Sequence, residues 1–350
     1  MTKLTTTRRQ LLRASTAAAA ATLAAPYIIT PSRAASKELV FVGFGGSYQE
    51  GQTKAYFEPF ERETGIKIIQ TSGVDLAKLR AQVQSKNVEW DLVTLPDRQR
   101  YTAVQDGLLM PLNYNAINKA DILPEVVSEF CIGHITVIMQ LVYSTKFYKT
   151  GSEPKGWGDF WNLQFPGTRA MYNAPAYILE IALLADGVPK DKLYPLDIPR
   201  ALKSLDRIKK SLIWWTQFPQ PGVMLNSGEI TMTPWTRGIT QLIAGDPIGV
   251  IYENAILSFE GWTVPKGARN ADIAMQFINF AIKPERQAAL TNHVAFGPTN
   301  IKAMPLVDPK VAKWLPSNPE HWKKGALMSG DWWGPNLQKA TEQWNEWRLS

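Results

Sequence analysis

A short apolar run at residues 39–42 predicts a buried strand, and a glycine-rich stretch follows it. Apolar side chains then recur at helical spacing until Gly65, which predicts a helix that ends there. In a strand–loop–helix unit the loop lies at the carboxyl end of a strand and the amino end of a helix, where open α/β sheets commonly bind ligands. We therefore expect residues 43–48 to line a ligand site.

The glycines of this loop do not predict a nucleotide site. The spacing of Gly43, Gly45 and Gly46 differs from G-x-G-x-x-G, and no Gly-Lys-Ser or Gly-Lys-Thr follows to hold a phosphate. A tight turn without any ligand is the alternative interpretation of the three glycines.

Alternating helices and strands continue along the chain and predict an α/β architecture. Helical periodicity predicts helices at residues 74–84, 178–185, 200–212 and 270–282, with another helix beginning near Pro284. A further helix is expected to follow a turn at residues 96–98 and to run to Gly107. Apolar runs predict strands at residues 90–95, 135–143, 169–172 and 226–235. The chain shows no internal repeat or long linker, and its length exceeds what one hydrophobic core usually holds, so we expect two lobes.

The first 34 residues predict an export signal that is removed from the mature protein. TRRQLLR at residues 7–13 is a twin-arginine pattern, a moderately apolar alanine-rich run follows, and SRA at residues 32–34 suits signal peptidase. A membrane-spanning helix is the weaker interpretation, because prolines interrupt the run and alanine contributes little to insertion. We therefore expect an exported, periplasmic protein.

Removal of this segment changes the charge of the chain. The formal net charge of +7 falls to +2, because the segment carries five basic residues and no acidic one. The remaining charge gives no basic excess of the kind that binds nucleic acid. The single cysteine, Cys131, excludes an intrachain disulfide and is expected to be buried.

Catalytic chemistry finds little support in the residue pattern. His134, His293 and His321 have no metal-ligand spacing to one another or to Cys131, and no G-x-S-x-G elbow is present. We therefore predict no catalytic residue, metal or cofactor. A secreted hydrolase or lyase with a two-lobe cleft remains the alternative.

Five segments, in this order and spacing, resemble the spermidine/putrescine-binding proteins of ABC importers. They are FEPFERETGI at residues 57–66, WDLV at 90–93, GWTVPKGARN at 261–270, AMQFINF at 274–280 and FGPTN at 296–300. The resemblance covers essentially the whole mature chain. It implies a type II periplasmic binding protein fold, in which two α/β lobes joined by crossing hinge strands close on a solute in an interlobe cleft. It also implies an inner-membrane ABC permease as partner, and we expect a monomer.

The resemblance places the crossings near Tyr143, Glu260 and Asn300. The expected domain organisation is therefore a signal peptide at residues 1–34, a first lobe of residues 37–143 and 261–300, and a second lobe of residues 144–260 and 301–350.

The resemblance also assigns ligand-binding roles. It implies a ligand-facing tyrosine at Tyr48, next to Ser47, an amine-binding carboxylate at Glu260 and a stacking ring at Trp235. Other positions depart from the polyamine pattern, with Phe296 for a tyrosine, Trp333 for a glutamine, Gly45 for a tryptophan, Arg98 beside Asp97 for an aromatic residue, and Ala174 and Tyr177 in a stretch that lacks two expected acids.

Arg237 is the departure that bears most on the ligand, because the family has a small polar residue there. An arginine in the cleft repels a second ammonium group and can bind a carboxylate through two hydrogen bonds. We therefore expect either a polyamine or a solute with one amine and one acidic or polar end, such as an ω-amino acid.

Structural interpretations of the same residues stay open. Tyr48 can be a surface residue at a helix start, and Trp235 and Trp333 can pack in the core. Glu260 and Arg237 can each pair with another charge. Asp97 and Arg98 can pair with each other or cap the following helix.

Overall fold

The computed structural model describes residues 38–350, except for the side chains of residues 96–98. The predicted signal peptide at residues 1–34 lies outside the described residues. Within the described part of the chain, no helix combines the length and the apolar character that crossing a membrane requires.

Ten strands form one mixed sheet in the described residues. The strands are β1 Glu38–Gly43, β2 Lys67–Ser72, β3 Leu92–Pro96, β4 Ile132–Ser144, β5 Arg169–Tyr172, β6 Leu212–Trp215, β7 Met232–Trp235, β8 Ile248–Thr263, β9 Gly297–Pro298 and β10 Ala326–Leu327. Their order is β2-β1-β3-β8-β4-β7-β5-β6, with β9 paired to β4 and β10 paired to β8.

Helices connect most of these strands. They are α1 Gly46–Gln52, α2 Glu58–Thr64, α3 Leu76–Gln84, α4 Asp97–Gln105, α5 Trp157–Trp161, α6 Ile178–Ala185, α7 Ile198–Asp206, α8 Gln220–Ser227, α9 Gly238–Ile243, α10 Ala271–Ala281, α11 Pro284–Val294, α12 Pro309–Ala312, α13 Pro319–Lys324 and α14 Gly330–Leu349. A π-helical turn, Thr53–Phe57, joins α1 to α2, so the first helix runs almost without a break to Gly65.

The two longest strands, β4 and β8, pair antiparallel at the centre of the sheet. On one side, β1 pairs in parallel with β2 and β3, and on the other side β5 pairs in parallel with β6 and β7. Strand β8 also pairs with β3, and β4 with β7, so these two long strands link the two parallel groups.

Two large hydrophobic clusters lie along these central strands. In β4, Ile135 and Val137 pack in the cluster formed with β1, α2 and α10, whereas Met139 and Leu141 pack in the cluster formed with α6, α7 and α14. Strand β8 changes clusters in the same way, because Ile256 belongs to the second cluster and Phe259 and Trp262 belong to the first. The fold is therefore the predicted two-lobe α/β type with shared central strands. The lobe boundaries drawn from the sequence stay predictions.

Most predicted elements are present, and two needed correction. The predicted helix at residues 200–212 ends earlier: α7 stops at Asp206, and Leu212 begins β6. Ile208 and Leu212 are both buried in the second cluster although neither lies in α7. Their apolar side chains continue the helical spacing of α7, and the predicted helix was too long for that reason. The predicted strand at residues 226–235 is shorter, because its first residues end α8 and Gly228 closes that helix at a φ of +79°.

Candidate functional site

A cavity of about 540 Å³ lies beside the central strands β4 and β8. Residues on both sides of these two strands line it. Its walls are largely aromatic, from Phe44, Tyr48, Tyr172, Tyr177, Phe218 and Phe296. Hydroxyl and amide groups add polar contacts from Ser47, Gln99, Thr236, Thr240, Gln241 and Ser258. A mostly apolar pocket with a few convergent polar groups is typical of a small-molecule site.

The loop between β1 and α1 forms one wall of the cavity. Gly45 and Gly46 have φ values of +76° and +62°, a backbone conformation that glycine adopts without strain. The N–H of Gly45 donates to Oε1 of Gln49 at 3.0 Å, which closes the turn. The turn brings Ser47 and Tyr48 to the cavity wall at the start of α1, as the sequence predicted for this loop.

Tyr48 connects the aromatic wall to the acidic group of the site. Its ring meets Phe296 edge to face with centroids 5.5 Å apart, and its hydroxyl oxygen lies 3.3 Å from Nε2 of the buried His134. Burial, together with the negative charge of Glu260, raises the pKa of the Tyr48 hydroxyl well above its ordinary value of 10.0. The hydroxyl therefore keeps its proton at neutral pH.

Glu260 and Arg237 bring opposite charges to the same cavity. Glu260 lies on β8, opposite Ile135 of β4, and its carboxylate lines the cavity. Arg237 precedes the first turn of α9 and lines the cavity as well, without a carboxylate partner in the described part of the chain. Among the described lining residues, these two are the only Asp, Glu, Lys or Arg side chains.

Tyr177 occupies a strained backbone position at the edge of the cavity. Its φ is +71°, in the left-handed region that bulky residues rarely adopt. The hydroxyl of Tyr177 lies 2.9 Å from Oγ of Ser258, and both residues line the cavity. Backbone strain of this kind clusters at ligand sites.

Two predicted ligand residues pack in the core and do not line the cavity. Trp235 is 1% exposed, and its Nε1–H donates to the Phe218 carbonyl at 2.7 Å. Trp333 is fully buried, and its Nε1–H donates to Oε1 of Glu180 at 2.5 Å. Protein acceptors satisfy both indoles, which favours the packing interpretation that the sequence left open.

The remaining predicted positions divide into three groups. Ala174 lies outside the cavity wall, and the side chains of Asp97 and Arg98 lie outside the described residues. The residues that line the cavity are Ser47, Tyr48, Tyr177, Arg237, Glu260 and Phe296. No ligand contact has tested any of these positions, so their binding roles stay predictions.

Several lining residues were missed from the sequence. Tyr172 ends β5 and stacks on Trp215, with ring centroids 4.6 Å apart, and Phe218 packs beside it. The position of Tyr172 at the carboxyl end of a predicted strand was a usable signal. Phe218, Thr240 and Gln241 carry no such signal, because only the folding of α8 and α9 brings them to the site.

The described residues contain no group of three or more His, Cys, Asp and Glu side chains that could hold a metal ion. The cavity lining combines a carboxylate, which can attract a cation, a guanidinium, which can attract an anion, and several aromatic rings.

Comparison with known proteins places the chain among transport receptors. The γ-aminobutyric acid-binding protein of Pseudomonas aeruginosa is 29% identical over 90% of this chain and 92% of its own. The spermidine/putrescine-binding periplasmic protein of Escherichia coli is 21% identical over 79% of this chain and 81% of its own.

The structural similarity is closer still. An ABC transporter substrate-binding protein from Bradyrhizobium japonicum is 36% identical, with a TM-score of 0.83 over 89% of this chain and 99% of its own. A family model described as bacterial extracellular solute-binding protein matches residues 55–321. The chain therefore belongs to the bacterial extracellular solute-binding protein family.

Proposed function

We propose that this protein is the periplasmic receptor of an ABC importer and that it binds a small zwitterionic amine, such as an ω-amino acid. The observation that carries the proposal is that one carboxylate, from Glu260, and one guanidinium, from Arg237, both lie in the described lining of one cavity. A solute with an ammonium group at one end and a carboxylate at the other complements this pair.

The charge of the cavity favours a zwitterion over a polyamine. A diamine needs an acceptor at each end, whereas Arg237 presents a cation that repels the second ammonium group. The same guanidinium can bind a carboxylate with two parallel hydrogen bonds. The γ-aminobutyric acid-binding relative supports this ligand class, because its solute carries both groups.

The aromatic walls supply the rest of the recognition. Tyr48, Tyr177 and Phe296 line the cavity together with Glu260, so an ammonium group bound there meets π faces as well as a carboxylate. Each such face contributes on the order of 0.5–2 kcal/mol to binding a cation. The methylene groups between the two charged ends are suited to the apolar parts of the same rings.

Transport follows from closure of the two lobes around the solute. A ligand that contacts both lobes at once shifts the population toward the closed form, and the closed form docks on a membrane permease. The relative from Bradyrhizobium japonicum is an ABC transporter substrate-binding protein, which supports this role. Export through the twin-arginine pattern at residues 7–13 delivers the receptor to the periplasm.

Calorimetry on the mature chain with γ-aminobutyrate, putrescine and spermidine tests the ligand class. We expect γ-aminobutyrate to bind more tightly than either polyamine. Arg237→Ala should weaken γ-aminobutyrate binding about tenfold to hundredfold, because a charged hydrogen-bonding partner is lost. The same change should leave putrescine binding unchanged or make it tighter. Arg62→Ala, at an arginine whose side chain is 68% exposed, is the matched control and should change nothing.

Two outcomes contradict the proposal. Tighter binding of putrescine than of γ-aminobutyrate by the parent protein, with equal losses for both ligands in Arg237→Ala, rejects the zwitterion. Chemical conversion of the bound solute, detected by recovering it after incubation, supports the hydrolase or lyase alternative. Recovery of unaltered solute supports the receptor.

A further inference from the structure

A second cavity, of about 430 Å³, adjoins the cavity described above, which we now call the first cavity. It is lined by α8, by the end of β7 and by the start of α9. Arg237 and Gln241 line both cavities, whereas Glu260 lines only the first. The two cavities therefore meet at Arg237, at the end of the site where we propose that the ligand's carboxylate binds.

Helix α8 gives the second cavity an apolar wall. Val223 of this helix lines the cavity and is 69% exposed. Gly222 lies against Trp235, because a Cβ atom at residue 222 would lie 2.9 Å from Cη2 of the indole. Glycine at this position allows the helix backbone to pack close to the ring. An aliphatic group in the cavity would cover Val223 and gain from the removal of both apolar surfaces from water.

The charges around the second cavity disfavour a charged occupant. Among its described lining residues, Arg237 carries the only charge, and its guanidinium repels a cation. Asn226 lines the cavity as well, and its Nδ2 donates to Oδ2 of Asp246 at 3.3 Å. The carboxylate of Asp246 therefore lies just behind this amide and repels an anion. An uncharged group suits the space between Val223 and Asn226.

The combined space exceeds what a small ω-amino acid needs. The first cavity alone, at about 540 Å³, lies in the range of roughly 300–1,000 Å³ that is typical of sites for drug-sized ligands. γ-Aminobutyrate is much smaller than such a ligand. The second cavity adds its space on the side of Arg237 and away from Glu260, so any additional group of the ligand belongs near the carboxylate end.

We propose that the second cavity is a subsite for an uncharged aliphatic substituent on the carbon next to the ligand's carboxylate. The proposal rests on the proposed function, which places the carboxylate at Arg237 and the ammonium group at Glu260. The ligand class is then an ω-amino acid with a branched substituent beside its carboxylate. The guanidinium holds the carboxylate where the cavities meet, and the substituent extends to Val223.

Calorimetry on the mature chain tests the subsite with three probes. They are γ-aminobutyrate, its derivative with an isobutyl group on the carbon next to the carboxylate, and the isomer with the same group on the middle carbon of the chain. We expect the first derivative to bind about tenfold more tightly than γ-aminobutyrate, because its isobutyl group is buried in the second cavity. The isomer should show no comparable gain, although its apolar surface is the same.

Val223→Asn tests where the isobutyl group lies. We expect this change to remove most of the tenfold gain, because it makes the aliphatic wall polar. The affinity for γ-aminobutyrate should stay that of the parent, since Val223 does not line the first cavity, and this affinity also shows that the variant is folded. Ile301→Asn is the matched control, at a residue that is 57% exposed and outside both linings, and should change neither affinity.

The outcomes separate the subsite from the proposed function. If γ-aminobutyrate binds and the isobutyl group beside the carboxylate adds no affinity, the subsite is rejected and the proposed function stands. Equal gains for the two isomers, or a gain that survives Val223→Asn, also reject the subsite. If neither γ-aminobutyrate nor its derivatives bind the parent protein, both proposals fail.

Discussion

The carboxylate of Glu180 is enclosed in the second cluster, where its Oε1 accepts from both Tyr194 and Trp333. The hydroxyl of Tyr194 lies 2.7 Å away and Nε1 of Trp333 lies 2.5 Å away. Burial raises the pKa of Glu180 above its ordinary value of 4.5, and the two donors only partly oppose this effect. This residue therefore links protonation to folding, and it is not one of the residues that line the cavity.

We predict that Glu180 makes stability fall as the pH rises above 4.5. The folded chain holds this proton more tightly than the unfolded chain, so the stabilisation is complete below the unfolded value and is lost as pH passes through the folded value. Glu180→Gln should remove this part of the pH dependence above pH 4.5. Urea unfolding at several pH values measures it.

Glu320→Gln is the control for this prediction, because the Glu320 side chain is 76% exposed. It should leave the pH dependence of the unfolding free energy as it is in the parent. If the free energy of unfolding changes with pH in the same way in the parent and in Glu180→Gln, burial of this carboxylate does not contribute to the pH dependence of stability.

At the scale of elements, the close pairing of β4 with β8 depends on a glycine. Gly261 of β8 lies opposite Gly133 of β4 in the ladder. A Cβ atom at Gly261 would lie 2.1 Å from Sγ of Cys131 and 3.0 Å from the Ile132 carbonyl oxygen. The two strands can therefore approach at this point only without a side chain at residue 261.

We predict that Gly261→Ala lowers the free energy of unfolding by about 1–3 kcal/mol, the usual cost of overpacking a buried site. Cys131→Ala should reduce that cost in the double variant, because it removes the sulfur atom that the new methyl group meets. Denaturant unfolding of the two single variants and the double variant gives the coupling between them.

Gly158→Ala serves as the matched control for Gly261→Ala. Gly158 is exposed in α5, and a Cβ atom there meets nothing within 4 Å. Alanine favours a helix over glycine, so this change should cost nothing. Equal stability of the parent and Gly261→Ala would mean that β4 and β8 are farther apart than described.

At the scale of the whole molecule, the cavity draws on segments that are distant in sequence and that lie on both sides of the central strands. Ser47 and Tyr48 begin α1, whereas Arg237 and Thr240 lie at the start of α9. A solute that contacts both groups holds the two sides together. Ligand binding should therefore slow backbone hydrogen exchange in both of these wall segments at once.

We predict that saturating γ-aminobutyrate slows backbone hydrogen exchange at residues 45–48 and at residues 236–240 together. Lobe closure reduces the local opening of both cavity walls, whereas local opening elsewhere in the chain is unaffected. Exchange measured by mass spectrometry with and without ligand tests this. Residues 319–324, in α13 and away from the cavity lining, should exchange as before. Protection on one wall only would contradict closure around the solute.

The local elements followed from the sequence because hydrophobic periodicity and helix-ending residues act over a few positions. The helix that ends at Gly65 and the helix at residues 178–185 were predicted with nearly the bounds observed. The error at residues 200–212 arose where Ile208 and Leu212 are buried for tertiary reasons after α7 has ended.

The sequence by itself determined the α/β class, the solute-binding family and the position of the loop at residues 43–48 beside the cavity, because these depend on local pattern and on motif order. Tertiary structure alone decided which aromatic residues face the cavity. It buried Trp235 and Trp333 in the core, brought Tyr172 and Phe218 to the wall, and placed His134 behind Tyr48. Side-chain direction depends on how β4, β8 and the surrounding helices pack, and residues far apart in sequence set that packing.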